Sequence, residues 1–222
     1  APSSLILANN YLPLNGALCA NGVLSMKFLL PVLIILFTGC ASTTKSSQSL
    51  NWSGNIAYEQ LKYEVAKDYY ESAIELAKNS NDKEYQSIAM YGLAKTEGRL
   101  CNFSQAEYLL KESIQIRNEL FDTGNAKITQ NIFELGRIYI AQEKWDFAFI
   151  QYNKAIPMLE KFDMETLDPI GLSNLLKEYY QVLEQTFTEK AHSINLKIGE
   201  LRKNNPNEKA RYISNLYSKD CT

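Results

Sequence analysis

Histidine is almost missing: His192 is the single example in 222 residues. One imidazole cannot build a histidine-rich zinc site, and no neighbour in sequence completes a ligand set around it. Placed within a helical stretch, His192 reads as a surface or interface residue. No glycine-rich phosphate loop and no nucleophile elbow occurs, and the carboxylates are scattered as they are on solvated helix faces. The sequence therefore predicts no catalytic set, no metal and no cofactor, and a protein that is not an enzyme. A basic excess is also lacking. Lys and Arg number 23 against 25 Asp and Glu, a formal net charge of −2. A chain so close to neutral has no cationic surplus with which to displace counterions from phosphates, so nucleic acid is excluded as the expected partner.

Cysteine is sparse. Cys19, Cys40, Cys101 and Cys221 are too few and too far apart to read as a disulfide framework. A bridge between Cys101 and Cys221 is conceivable in an oxidising compartment; a buried, unbridged Cys101 and a frayed Cys221 form the plainer expectation. Long apolar runs are lacking as well. The longest, Phe28 to Phe37, is broken by Pro31 and falls well short of the ~20 residues that cross a bilayer.

That run has informative flanks. In "MKFLLPVLIILFTGCAST", starting at Met26, Lys27 supplies a positive start, the apolar run follows, and Phe37-Thr38-Gly39-Cys40 closes it. The segment resembles the signal peptide and lipobox of bacterial lipoproteins, with Phe37 where that family usually has leucine. The resemblance implies cleavage before Cys40, lipid attached to Cys40, and, with Ala41 behind it, retention on the periplasmic face of the bacterial outer membrane. Contact with membrane is then by lipid anchor only. Residues 1–25 carry no charged residue and no sustained period; they read as an upstream extension that is not part of the mature protein. Residues 26–39 are read as the signal peptide. Residues 40–49, with "STTKSSQS", are read as a flexible tether, and residues 50–222 as the folded domain.

From Leu50 onward the pattern is helix after helix, without strand alternation. Within "FELGRIYIAQEKWDFAFIQYNKAI", starting at Phe133, Leu135-Gly136 precedes Tyr139, and Ala148, Tyr152 and Ala155 follow at spacings of four and three. Those spacings keep the residues on one helix face. Gly136 and Ala148 are small enough for two helices to approach closely, with Tyr139 and Tyr152 filling the space alongside. The beat recurs as Ala66, Tyr70 and Ala73, and again as Ala106, Leu110 and Ser113 after Leu93-Ala94; Ala191 gives a weaker fourth instance. This pattern resembles the tetratricopeptide repeat. Ordinary repeats of that family run about 34 residues; the key alanines here lie 40, 42 and 43 apart, which is similar to the longer kinesin-light-chain-like subgroup. The resemblance implies an all-α fold: an α-solenoid of about four antiparallel helix pairs. After Pro206, Ala210, Ile213, Leu216 and Tyr217 suggest a short C-terminal capping helix over the last exposed core.

In such a fold the first helix of each pair lines a groove that binds partners. At i, i+4 and i+8 the second pair offers Tyr91, Lys95 and Arg99; the third offers Phe133, Arg137 and Glu134; the fourth Lys177 and Tyr180; the first Asn55 and Tyr58. Aromatic and basic side chains so interleaved suit a protein partner or an extended peptide, acidic where Arg and Lys pair with its carboxylates. The expected function is that of an interaction scaffold or assembly factor. The alternative is an accessory lipoprotein that binds a cell-wall muropeptide or another small ligand.

Overall fold

The structure is a computed structural model that describes residues 46–122, 124–211 and 216–218. Cys40 and the other residues read above as extension, signal peptide and the start of the tether lie outside the described residues, as do Cys19 and Cys221.

Helices follow one another throughout: α1 Ser47–Glu59, α2 Tyr63–Asn79, α3 Lys83–Arg99, α4 Phe103–Leu120, α5 Ala126–Ala141, α6 Trp145–Glu160, the single turn α7 Met164–Leu167, α8 Pro169–Thr186 and α9 Thr188–Asn204. Consecutive helices pack as the pairs α1–α2, α3–α4, α5–α6 and α8–α9, and each second helix also packs on the first helix of the next pair. Among the described residues the architecture is an α-solenoid of four helix pairs, and they contain no strand.

Local chemistry sets the helix ends. Ser46 and Ser49 form a reciprocal capping box, so α1 begins at Ser47, inside the stretch expected to be a tether. The side chains of Asp82, Asn125 and Asp168 cap α3, α5 and α8. Four turns share one construction. Leu61, Asn81, Cys101 and Glu143 take left-handed conformations, with φ of 59°, 54°, 65° and 56°. The next residue's N–H then donates back to the last helical turn, as from Asn102 to Glu97 O at 2.8 Å and from Lys144 to Tyr139 O at 2.9 Å. This is the Schellman closure, which satisfies carbonyls that the helix end leaves orphaned.

The small residues read from the sequence lie where helices approach closely. Ala66, Ala106 and Ala148 are fully buried, and Ala191 nearly so. A Cβ on Gly136 would come within 2.6 Å of the Tyr152 ring. Tyr70 of α2 is wedged between glycines of two first helices, Gly54 and Gly92. Cys101 is half-buried and disulfide-bonded rather than a buried free thiol; Cys221, the partner considered for it, is outside the described residues.

The C-terminal segment departs from the sequence reading. Residues 205–211 and 216–218 are not helical. Instead of capping the fourth pair, the segment returns along the stack. The Arg211 backbone N–H donates to Asp168 Oδ1 at the start of α8 (3.1 Å), and Tyr217 reaches α3, α4 and α5.

Candidate functional site

The face lined by the first helices carries a pocket of about 480 Å³. Tyr58 and Glu59 of α1, Tyr63 at the start of α2, Tyr91, Lys95 and Arg99 of α3, and Glu134 and Arg137 of α5 form its walls, with Arg211 of the C-terminal segment along one side. The stripe Tyr91, Lys95, Arg99 points into one space because spacings of four keep it on one side of α3.

Cations and rings interleave there. Lys95 Nζ lies 4.4 Å from the Tyr58 ring centroid and 5.7 Å from that of Tyr91. Arg99 Nε donates to Tyr58 Oη at 3.2 Å, while its guanidinium sits 4.7 Å from the Tyr217 centroid. Burial raises the Tyr58 pKa, an effect that the Arg99 hydrogen bond only partly offsets. Tyr91 is pushed up to about 12, first by burial and then by the Glu134 charge.

Arg137 plays a different part. It is buried, and its Nη1 donates to Glu134 Oε2 at 3.0 Å. Its Nε and Nη2 donate to the two Glu178 oxygens at 2.9 and 3.2 Å. Burial alone would lower the Arg137 pKa; Glu178 and Glu134 outweigh it and hold the group well above its ordinary value. Tyr152 Oη donates to Glu178 Oε2 at 2.6 Å. The result is a closed polar network joining α5, α6 and α8, so the accessible positive charge of the pocket comes from Lys95, Arg99 and Arg211.

The structure thus brings Tyr58, Tyr91, Lys95, Arg99 and Arg137 together around one pocket. Four other residues expected on the groove lie elsewhere. Asn55 accepts a hydrogen bond from Tyr70 Oη at 2.7 Å and holds α1 on α2. Phe133 is buried in the core, edge-on to Tyr152 with centroids 5.6 Å apart. Lys177 is exposed away from the pocket, and its neighbour Glu178 is the residue of α8 that turns inward. Tyr180 donates to Glu184 Oε1 at 2.6 Å on its own helix. Glu59, Leu61, Tyr63 and Arg211 also line the pocket, outside the sequence stripes; Arg211 belongs to a segment whose spacing predicts a helix.

The tetratricopeptide repeat family matches residues 46–119. The match spans the first two helix pairs. The chain is also similar in fold to solved structures of other proteins. The crystal structure of BtubC (BKLC) from P. vanneervenii superposes with a TM-score of 0.67 at 18% identity, covering 78% of this chain and 71% of that one. The apo form of RapI superposes with a TM-score of 0.62 at 13% identity, covering 72% of this chain and 57% of RapI. At these identities the likeness shows the fold alone. No curated protein sequence matches the chain.

Proposed function

We propose that the protein is an interaction scaffold that receives an extended segment of a partner protein in this pocket. Tetratricopeptide repeats mediate protein–protein interaction, and scaffolds of this family are typically non-enzymatic. The observation that carries the reading is Lys95. Its ammonium stands between the Tyr58 and Tyr91 rings and, among the described residues, makes no pair with a carboxylate. A half-buried cation walled by aromatic rings attracts an acidic side chain or a terminal carboxylate.

The test is a photo-crosslinking residue at position 95, with a control at the exposed Leu196 of α9. The same partner should cross-link from position 95 and not from 196, and Lys95→Glu should lower its capture at least ten-fold. Equal cross-linking from both positions would remove the pocket from the reading. The pocket's volume favours one second reading, since about 480 Å³ falls within the range of small-ligand sites. A cell-wall stem peptide would then be the ligand, and muropeptides rather than a protein would be recovered.

We further propose that the working protein is anchored by lipid on Cys40 at the periplasmic face of a bacterial outer membrane. Support comes from the order of Lys27, the apolar run and Cys40, and from the disulfide at Cys101, a bond that persists in oxidising compartments. None of the described helices is long and apolar enough to cross a membrane. Cys40→Ala should abolish palmitate labelling and release the protein from membranes; labelling that persists would refute the processing site.

A further inference from the structure

The C-terminal segment borders the face on which a partner would bind: Arg211 lines the pocket, and Tyr217 meets Arg99 and Glu134 of its walls. Tyr217 is its anchor. The Tyr217 hydroxyl donates to Glu134 Oε1, and its ring meets Phe103 edge-on at 6.3 Å between centroids. Beneath it lies Gly98, where a Cβ would come within 2.5 Å of the ring. Arg99 Nη1 donates to the Leu216 carbonyl at 3.0 Å, and the same guanidinium covers the Tyr217 ring. The site therefore reads one residue in detail: an aromatic ring, a hydroxyl donor at its tip, and the backbone carbonyl just before it.

Two observations separate this arrangement from ordinary core packing. Of residues 205–211 and 216–218, Tyr217 alone is buried, so among the described residues the segment inserts one deep side chain. A segment with one buried side chain can open locally at a lower cost than global unfolding. The second observation is Glu134. It is 3% exposed, and its two oxygens are met by Arg137, Tyr91 and Tyr217. When Tyr217 leaves, a buried acceptor loses its donor, which is unfavourable unless an incoming group restores the bond. A phenolic hydroxyl restores it; a phenylalanine or leucine does not.

We propose that the C-terminal segment is an intramolecular ligand that keeps this face closed, and that the partner displaces it with a tyrosine of its own. The incoming segment is extended. It places that tyrosine between Arg99, Phe103 and Glu134, and an acidic residue beside it lies over Lys95. The proposal rests on the interaction-scaffold reading and narrows it to a partner chemistry.

The test uses the full chain and a fluorescent peptide of residues 210–219, ARYISNLYSK, supplied in trans, with binding read by fluorescence anisotropy. Tyr217→Ala vacates the site, so that variant should bind the peptide at least ten-fold more tightly than the unmodified chain. A peptide with alanine for its second tyrosine should bind neither protein, and Arg99→Gln added to Tyr217→Ala should abolish the gain. If Tyr217→Ala loses its helical circular dichroism, Tyr217→Phe carries the same comparison: it keeps the ring, gives up the bond to Glu134, and should show a smaller gain. Equal binding to the unmodified chain and the folded variant overturns the proposal, as does equal binding of the alanine peptide. A partner that still cross-links from position 95, equally in the unmodified chain and in Tyr217→Ala, would sink the closed-face proposal and leave the scaffold reading standing. Loss of the position-95 cross-link with peptide binding retained would do the reverse.

Discussion

The Tyr70 ring occupies the space that a side chain on Gly92 would need: a Cβ there would stand 2.4 Å from Tyr70 Cε1. Tyr70 belongs to the second helix of the first pair and Gly92 to the first helix of the next, so this contact sets how closely two repeats stack. Gly92→Ala should destabilise the protein by about 1–3 kcal/mol through overpacking. Gly199 of α9 has open space around the same position, and Gly199→Ala should stabilise by about 0.5–1 kcal/mol through helix propensity. Urea unfolding of both variants checks the pair; a like sign for the two would refute the packing argument.

Arg137 should prove structural. With Glu178 and Glu134 it forms a buried ion network of one cation and two carboxylates, so removing Arg137 leaves two buried carboxylates without their cation. Arg137→Ala should cost about 3–5 kcal/mol, and Glu178→Ala less, because Arg137 keeps Glu134. The double variant should cost less than the sum, because Glu178 is then no longer left without its cation. A double-mutant cycle by chemical denaturation measures that coupling, and strict additivity would contradict it.

The buried tyrosines predict loss of stability in alkali. Tyr70, Tyr152 and Tyr217 are raised above the ordinary phenol value, first by burial, and Tyr91 is raised to about 12. Above pH 10 the unfolded chain releases these protons while the folded chain retains them, so stability falls as pH rises from about 10 to 12. Burial acts oppositely on Arg117, lowering it to about 10, which on its own would make stability rise over that window. Four tyrosines oppose one arginine, and the net change should be a loss. Absorbance at 295 nm should show exposed tyrosines ionising first and the remainder only as circular dichroism is lost. Complete ionisation with the helices intact would contradict the burial argument.

Arg117 supports a prediction at neutral pH. Its guanidinium is buried and, among the described residues, has no carboxylate contact; it donates to Lys127 O and Asn131 Oδ1 and faces the Tyr91 ring at 5.4 Å. Arg117→Ala should cost about 3–5 kcal/mol, since it empties a large volume and strands Asn131, whose Nδ2 already lacks a partner. Arg117→Met with Asn131→Leu should recover most of that loss, because filling the site with apolar atoms leaves no orphaned polar group. Thermal melts of the single and double variants decide it.

The Cys101 disulfide should stabilise the fold by about 2–5 kcal/mol. Reduction with dithiothreitol and the Cys101→Ser variant should then lower the melting temperature equally, and the variant should not respond further to reductant. A reductant effect that survives Cys101→Ser would place the sensitive bond elsewhere.

The helix pairs were legible because close approach leaves a mark at short range: alanine or glycine at the contact, a tyrosine beside it, and spacings of three and four. The first two stripes of the pocket were legible for the same reason, since Tyr58 and the series Tyr91, Lys95, Arg99 follow from register alone. Phe133 and Lys177 show where such reading stops. Each lies one residue from an inward-facing acid, Glu134 or Glu178, and one residue on a helix is a rotation of about 100°. Only partners on other helices distinguish the two faces. The C-terminal segment departs from its pattern: Ala210, Ile213, Leu216 and Tyr217 fit a helical period, whereas what holds Tyr217 is a glycine, an arginine and a glutamate far away in the chain.

The hydrogen bond from Arg99 to the Leu216 carbonyl spans 117 positions, in a fold whose other contacts run mostly between successive helices. A repeat array behaves as a one-dimensional chain, each unit answerable only to its neighbours. This contact ties the far end of the array back to the second unit and turns an open row into a loop. Losing the fourth pair therefore removes a support from the second and third, and melting cannot simply fray inward from the C-terminus. Release of Tyr217 returns the stack to a row in which each pair answers only to its neighbours.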